Sequence, residues 1–167
     1  LPADAGTIQV GLLPHPLPTS EIVIQVFDDK SLTNGQFDAP VEQPEPGPTN
    51  MAGFQAHVHD IAGEITADMF GAPLCGGKCL SDERGVIRIP NLGTLRFDVL
   101  VTPPDGQQWI QTTTLEGSQG WDTWLQEAGT GLDNEFIVAA EPFPWTIFGF
   151  VQPKQPNLGG TGSIKGV

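Results

Sequence analysis

The residues best suited to bind a cation lie in one acidic stretch near the start of the chain. Asp28, Asp29, Asn34 and Asp38 place side-chain oxygens around Gly35, directly after an apolar segment. Calcium takes about six to eight oxygen ligands in flexible geometry, often from one loop and one distant carboxylate. The stretch therefore predicts a calcium site, although its spacing is not that of an EF-hand loop. The alternative is an ordinary acidic turn in an acidic protein.

Further oxygen ligands for this site are available elsewhere in the chain. Asp60 can act as the distant ligand if its loop shares one end of the domain with the acidic stretch, and Glu42 can add to the set. A second group of oxygen-bearing side chains is interpreted as a solvated acidic loop; it comprises Glu116, Asp122, Glu127, Asp133, Asn134 and Glu135.

Two histidines offer a second kind of metal chemistry. His57 and His59 stand two residues apart, so on a strand they lie on the same face. Two imidazoles can hold a transition metal, with Asp60 or His15 as a further ligand. The interpretation that we favour is a solvated sheet face.

The sequence favours a protein without catalytic activity. A hydrolase needs a nucleophile beside a base and an oxyanion donor. Ser81 and Asp82 are adjacent, but no Gly-x-Ser-x-Gly motif surrounds them. Paired carboxylates for glycoside cleavage stay open as an alternative, since spacing along the chain does not fix their separation in space.

The two cysteines, Cys75 and Cys79, enclose a short glycine-containing loop. A disulfide across this loop is typical of a secreted protein, and free thiols are the alternative. A structural zinc site needs four ligands in paired spacing, and no second Cys or His pair follows.

The tryptophans raise the possibility of carbohydrate binding. The chain has four tryptophans and no tyrosine. Trp121 and Trp124 lie in a glycine-containing segment, and we predict that they are the most exposed pair, able to stack on a sugar. The alternative for all four is packing in the core and at sheet edges.

The composition of the chain indicates its fold class and disfavours some kinds of partner. The chain of 167 residues has 21 glycines, 16 prolines and a formal net charge of −13. Many turn-forming residues favour a β-fold, and the acidic excess disfavours nucleic acid and anionic membranes as partners. No apolar run is long enough to span a membrane.

Alternating apolar residues predict about eight short strands. The fold predicted from them is all-β: a β-sandwich with long loops and little or no helix. Only residues 120–127 suggest a helical turn. We divide the chain into an N-terminal strand and proline-rich linker (1–20), a sandwich domain (21–151) and a proline- and glycine-rich linker (152–167). The strands predicted within the linkers are residues 7–13 and 163–167; the latter is interpreted as a strand of a following domain or a neighbouring subunit.

Four segments together resemble a known family. Residues 34–38, 52–63, 81–93 and 97–106 present an acidic loop, then Gly-aromatic-x-Ala-x-Val-x-Asp, Asp-x-x-Gly, Pro-Asn-Leu, and Val-x-x-Pro-x-Gly. This order is similar to the B-type repeat of serine-aspartate-repeat surface adhesins, one of the prealbumin-like and carboxypeptidase-regulatory-like sandwiches. It covers about residues 21–115. Residues 40–50 and the cysteine loop are additions to the family's pattern, and the acidic loop is longer and poorer in aspartate.

The resemblance implies a Greek-key sandwich, bound calcium, a tandem arrangement and a role as a rigid spacer on a cell surface. The sequence-based hypothesis is thus an extracellular, calcium-stabilised structural module of an adhesin or filament, assembled by β-strand addition. A carbohydrate-binding module is the alternative.

Overall fold

The computed structural model describes residues 11, 19–30, 37–38, 41–42, 50–113, 117–125 and 146–153. Within these ranges the protein is nearly all β, and the prediction of an all-β sandwich is confirmed. The strands are β1 (Ser20–Asp28), β2 (Gln55–Asp60), β3 (Gly63–Glu64), β4 (Cys79–Leu80), β5 (Val86–Leu92), β6 (Arg96–Thr102), β7 (Ile110–Gln111), β8 (Trp121–Trp124) and β9 (Thr146–Val151). A short 3₁₀ turn, Leu74–Gly77, precedes β4. No helix in the described ranges is long and apolar enough to cross a membrane.

The strands form two sheets. The first has the order β5-β1-β9-β7, and the second has the order β3-β2-β6-β8, with β4 also paired to β2. After the β2–β3 hairpin the chain crosses between the sheets repeatedly, so neighbouring strands in each sheet are distant in sequence. The β1–β9 pair is parallel, and the other strand pairs are antiparallel.

The core lies between the two sheets and is rich in aromatic rings. The rings of Phe54 and Phe150 have centroids 4.8 Å apart, and those of Trp121 and Phe148 are 6.2 Å apart. These contacts join the second sheet to β9 of the first. Rings of this size bury large apolar areas and favour tilted packing, so they supply much of the hydrophobic stabilisation.

Strand β1 is buried on both of its faces. Ile22, Ile24 and Val26 face the core as the alternation predicts, but Val23 and Phe27 on the opposite face are buried too. The ring of Phe37 packs against that of Phe27 at a centroid distance of 5.2 Å, which covers the outer side of the strand end. Strand β1 is therefore an interior element.

The two ends of the sandwich differ. Phe54, just before β2, packs on Phe150, whose parallel register partner is Asp28. The last residues of β1 and β9 and the start of β2 therefore share one end, which we call the acidic end. Strand β2 runs from there to the opposite end of the sandwich, where it turns into β3. The first residues of β1 and β6 lie at this same end, which we call the hairpin end.

The segment between β3 and β4 covers the open edge of β5. Cys75 and Cys79 form a disulfide, as predicted. The Met69 N–H donates to the carbonyl of Asn91 at 3.0 Å, and the Cys75 Sγ lies 3.6 Å from the carbonyl oxygen of Arg88. Exposed strand edges invite pairing with other chains, so this strap shields one of them.

Several predicted elements differ from the structure. The described part of the predicted helical turn, residues 120–125, does not form one, because Trp121 and Thr123 alternate into the core while β8 pairs with β6. The apolar segment that begins at Trp109 also suggests a strand, and among its described residues, 109–113, Ile110–Gln111 pairs with β9. The predicted strands at 7–13 and 163–167 lie outside the described residues, apart from Gly11.

Candidate functional site

The acidic stretch after β1 is organised by a buried carboxylate. Glu42 is only 2% exposed. Its two oxygens accept the backbone N–H groups of Lys30 at 2.8 Å and Asp38 at 2.7 Å. A carboxylate held by two N–H donors ties together chain segments that are separated in sequence, and such charged hydrogen bonds are stronger than neutral ones. Glu42, considered above only as an extra oxygen, is thus an anchor of the acidic end.

The predicted calcium ligands are only partly brought together. Asp28, Asp29 and Asp38 belong to the acidic end, and Asn34 lies outside the described residues. Asp60 is the last residue of β2, whose first residue lies at the acidic end. At the rise of about 3.4 Å per residue in a strand, Asp60 is about 17 Å from that first residue. Its role as the distant ligand is therefore wrong, because the two loops occupy opposite ends of the sandwich.

Asp60 has a local structural role instead. Its Oδ1 accepts the N–H of Ala62 at 2.7 Å and that of Gly63 at 3.2 Å. Aspartate side chains often close turns in this way. The carboxylate therefore shapes the β2–β3 turn.

The described residues of the acidic end do not by themselves form a group of metal ligands. Across the described part of the chain, no three His, Cys, Asp or Glu side chains are grouped so that they could hold a metal ion. The Glu42 oxygens are already engaged by backbone N–H groups, which leaves less capacity for a cation. Calcium binding stays a prediction from the sequence.

A row of titratable side chains crosses the outer face of the second sheet. The strand register sets Glu64 beside His59, His59 beside Asp98, and Asp98 beside Asp122. The row begins at the β3 edge and ends at β8. The least favourable contact in this row is between Asp98 and Asp122, two like charges that stand directly opposite each other on neighbouring strands.

The pKa of Asp98 is raised above its usual value. Burial is the largest cause, and the negative charge of Asp122 adds to it, while His59 and Arg96 act in the opposite direction. Arg96 pairs with Asp122, so its positive charge is shared between the two carboxylates. A carboxyl group of this kind takes up a proton more readily than an isolated aspartate.

His57 is held by polar neighbours on both sides of its ring. Its Nδ1 lies 2.7 Å from Glu64 Oε1, and its Nε2 lies 3.2 Å from Thr102 Oγ1. The hydrogen bond from His57 lowers the pKa of Glu64. Since both ring nitrogens of His57 are engaged, its geometry favours the solvated sheet face over a transition-metal site.

The tryptophan pair predicted to stack on sugars is split between two environments. Trp121 is 7% exposed and packs in the core, so the prediction that it lies on the surface is wrong. Trp124 is 46% exposed, and the guanidinium carbon of Arg96 lies 5.9 Å from its ring centroid. Because the two rings stand three residues apart on a strand, they face opposite sides of the sheet.

Ser81 stabilises a turn and is not arranged as a nucleophile. Its hydroxyl donates to the carbonyl of Met51 at 2.6 Å and accepts the N–H of Phe54 at 2.9 Å. The side chain is 5% exposed. Its partners among the described residues are therefore backbone groups.

Sequence analysis missed the roles that depend on long-range pairing: it did not single out Asp98, and it interpreted Asp122 as part of a solvated acidic loop although this residue lies in β8. Asp98 and Asp122 meet only because β6 and β8 are neighbours, and Arg96 reaches Trp124 through the same register. The alternation of residues 95–101 already predicts that Asp98 is on an outer face. No local signal indicates which carboxylate stands opposite.

Comparisons with known proteins give little further guidance. No protein-family model matches the chain, and no curated protein matches it. A solved structure that is similar is that of GBS52, the minor pilin of the Gram-positive pathogen Streptococcus agalactiae, with a TM-score of 0.49 and 14% sequence identity. The match covers 85% of this chain and 48% of the pilin chain, so it spans about half of that protein's length.

Proposed function

We propose that this chain is a non-catalytic structural module, a spacer that transmits tension within an extracellular surface protein. One observation carries the proposal. Strands β1 and β9 are parallel neighbours, with Ile24 to Asp28 in register with Thr146 to Phe150. The chain thus enters β1 at the hairpin end and leaves β9 at the acidic end, as an element of a linear array requires.

The parallel pair also determines how the module resists force. Tension applied before Ser20 and after Val151 pulls β1 and β9 in opposite directions along their length. All hydrogen bonds between the two strands are then loaded together in shear. The Asp29 N–H extends this pairing by donating to the Phe150 carbonyl at 2.9 Å.

The covalent and electrostatic properties of the chain support an extracellular setting. A disulfide persists in oxidising compartments. The net charge of −13 favours solubility and disfavours binding to polyanions. A repeating unit of an adhesin or filament is the setting that fits these properties together with the sequence resemblance.

Force spectroscopy on single molecules tests the spacer function. Handles attached at Thr19 and Gln152 load β1 and β9 in shear. Handles at Thr19 and Gly93 peel β1 from β5, because Ser20 pairs with Leu92 at the same end. We expect a higher rupture force in the first geometry; equal forces would overturn the proposal, since the parallel pair would then carry no special load.

Calcium stabilisation is a second part of the proposal and rests on the sequence resemblance and on Asp28, Asp29 and Asp38 at the acidic end. Calcium bound to the folded state alone adds about 2.7 kcal/mol at a concentration a hundredfold above its dissociation constant. Thermal unfolding with calcium, with magnesium and with a chelator measures this effect. An unchanged midpoint contradicts calcium stabilisation and leaves the spacer function untouched.

Assembly by β-strand addition is also proposed, through residues 7–13 or 163–167, which lie mostly outside the described part of the chain. A peptide with the sequence of residues 163–167, added to the protein in excess, tests it. Protection of backbone amides at a sheet edge from hydrogen exchange is the expected result. No change in exchange contradicts strand addition by that segment.

A further inference from the structure

Strand β5 forms a protected edge of the first sheet. The N–H of Val86 donates to Asp82 Oδ1 at 2.9 Å, and the carbonyl of Val86 accepts the Asp82 N–H at 3.0 Å. The carbonyl of Arg88 faces Cys75 in the strap, and Pro90 has no N–H group to donate. This edge therefore offers little to a further strand.

Strand β8 forms an edge of the second sheet, and its register shows which backbone groups point away from β6. The Leu125 N–H donates to the Leu95 carbonyl at 3.0 Å, so Leu125 directs its N–H toward the β6 side. In an antiparallel pair such groups belong to alternate residues, which here include Thr123. The backbone N–H and C=O groups of Asp122 and Trp124 therefore point outward.

The outward groups of β8 are open to a partner. In the described part of the chain, no backbone hydrogen bond joins Asp122 or Trp124 to a residue on the side away from β6. The strand itself is well held, because Trp121 and Thr123 are buried and the hydroxyls of Thr123 and Thr146 lie 2.9 Å apart. An ordered strand with free N–H and C=O groups can pair with an extended segment of another chain.

The outer face beside this edge carries an excess of negative charge. Asp122 stands opposite Asp98, and Arg96 pairs with Asp122. Burial is the largest cause of the raised pKa of Asp98, and the charge of Asp122 adds to it, while His59 and Arg96 act in the opposite direction. A basic side chain on an added strand, placed opposite Asp122, would therefore make a favourable cross-strand pair.

Residues 163–167 have the side chains that this edge requires. The segment reads Ser-Ile-Lys-Gly-Val and has no acidic residue. If Lys165 stands opposite Asp122, both side chains lie on the outer face, and Ile164 lies on the core side of the sheet. The other segment considered for strand addition, residues 7–13, contains no basic residue.

We propose that the open edge of β8 binds residues 163–167 of a neighbouring copy as an added strand, with Lys165 opposite Asp122. This inference rests on the strand addition proposed above and names its donor and its acceptor. The chain leaves β9 at the acidic end, so in a linear array the donor segment of one copy follows it toward the hairpin end of the next. Trp124 lies at that hairpin end, because its register partner is Arg96, the first residue of β6.

Hydrogen exchange resolved by residue tests the acceptor edge. A peptide with the sequence of residues 163–167 and blocked termini is added to the full chain at up to about 5 mM, which spans the effective concentration of a tethered segment. We expect slower exchange at the amides of Asp122 and Trp124. Protection only elsewhere, as at Gln111 in β7, overturns this proposal but leaves strand addition in place, and protection nowhere overturns both.

Exchange in the chain without peptide tests whether the donor comes from another copy. At about 10 µM protein the amides of Asp122 and Trp124 should exchange fast, and at about 1 mM, comparable to linked modules, they should exchange more slowly. Slow exchange already in the dilute chain would show that the donor belongs to the same copy. Equally fast exchange at both concentrations also contradicts the proposal.

A charge-reversed peptide tests the pairing of Lys165 with Asp122. Lys165→Glu replaces an attractive cross-strand pair by a repulsive one, so this peptide should bind the native chain about tenfold more weakly. On a chain with Asp122→Asn the two peptides should differ by only about threefold, because Asp98 alone remains. Equal binding of the two peptides to the native chain overturns the proposal.

A matched control removes one negative charge away from β8. Asp105 lies in an exposed turn, and on a chain with Asp105→Asn the two peptides should still differ about tenfold. A difference that shrinks equally in both protein variants shows general attraction to an acidic protein and contradicts the pairing. The Thr123 amide, which points toward β6, reports whether β8 stays paired in the Asp122→Asn chain. Rupture force is measured separately, so the spacer function survives if the β8 contact fails.

Discussion

Phe27 of β1 and Gly149 of β9 lie side by side in parallel register, in a space that admits no further carbon. A β carbon on Gly149 would come 2.8 Å from Cζ of Phe27 and 2.5 Å from the hydroxyl of Thr112. Thr113 stabilises the same position, since its hydroxyl accepts the Gly149 N–H at 3.1 Å. The pair on which the proposed spacer depends is therefore closely packed at its centre.

Replacing Gly149 by alanine should destabilise the fold. The added methyl group forces Phe27 or the backbone to move, and overpacking of this kind costs about 1–3 kcal/mol. Urea denaturation measures the change. Gly93→Ala is the control, because a β carbon at Gly93 would have no neighbour within 4 Å and the substitution only stiffens the unfolded chain. Equal losses in the two variants contradict close packing at Gly149.

Replacing Glu42 by glutamine should loosen the acidic end. An amide presents one oxygen, so one of the two N–H groups of Lys30 and Asp38 loses its acceptor. Leaving a buried donor unsatisfied costs about 1–3 kcal/mol. Hydrogen exchange should be faster at the Lys30 or Asp38 amide. The exposed Glu83 provides the control, since Glu83→Gln removes the same charge; similar effects would show that charge, and not anchoring, matters.

The Asp98 carboxyl should make stability depend on pH. Its pKa is raised in the folded state, so the folded protein binds a proton more readily than the unfolded chain. This contribution is favourable at low pH and is lost as the pH rises through the raised pKa. Asp98→Asn should flatten that part of the profile and raise stability at neutral pH by less than about 1 kcal/mol, because the group is largely open to solvent.

Thermal unfolding between about pH 3 and pH 7 measures this profile, a window that includes the ordinary aspartate pKa. Asp105→Asn, in an exposed turn, is the control. A profile that Asp98→Asn leaves unchanged contradicts the role of the Asp98–Asp122 pair.

Reduction of the Cys75–Cys79 bond should release the strap that covers β5. If a disulfide acts by lowering the conformational entropy of the unfolded chain, closure of so short a loop stabilises the folded state by about 2 kcal/mol. We expect faster hydrogen exchange at the Met69 amide, which bonds to Asn91, and little change at Val58 in β2. Unaltered exchange at Met69 would show that the strap stays in place without the disulfide.

Much of the sandwich follows from the sequence because alternation is a local property. Residues 54–60 and 95–101 alternate strictly, and the structure places Phe54, Val58, Phe97 and Val99 in the core. The sequence did not predict that residues 121–124 form a strand, because the segment is short and a neighbouring glycine suggests a turn. Their strand conformation depends on pairing with β6, which no local pattern contains.

The candidate sites also combine features that local sequence predicts with features that depend on long-range pairing. By itself the sequence determined the acidic character, the core faces of β1, β2 and β6, and the short disulfide loop, because composition, a period of two and close cysteines are properties of neighbouring residues. Only the tertiary structure decided that Asp60 stands far from Asp28, that Glu42 anchors two segments, and that β1 and β9 run parallel with their free ends apart. These relationships join residues that are distant in the chain, and the pairing of strands that creates them is a property of the whole fold.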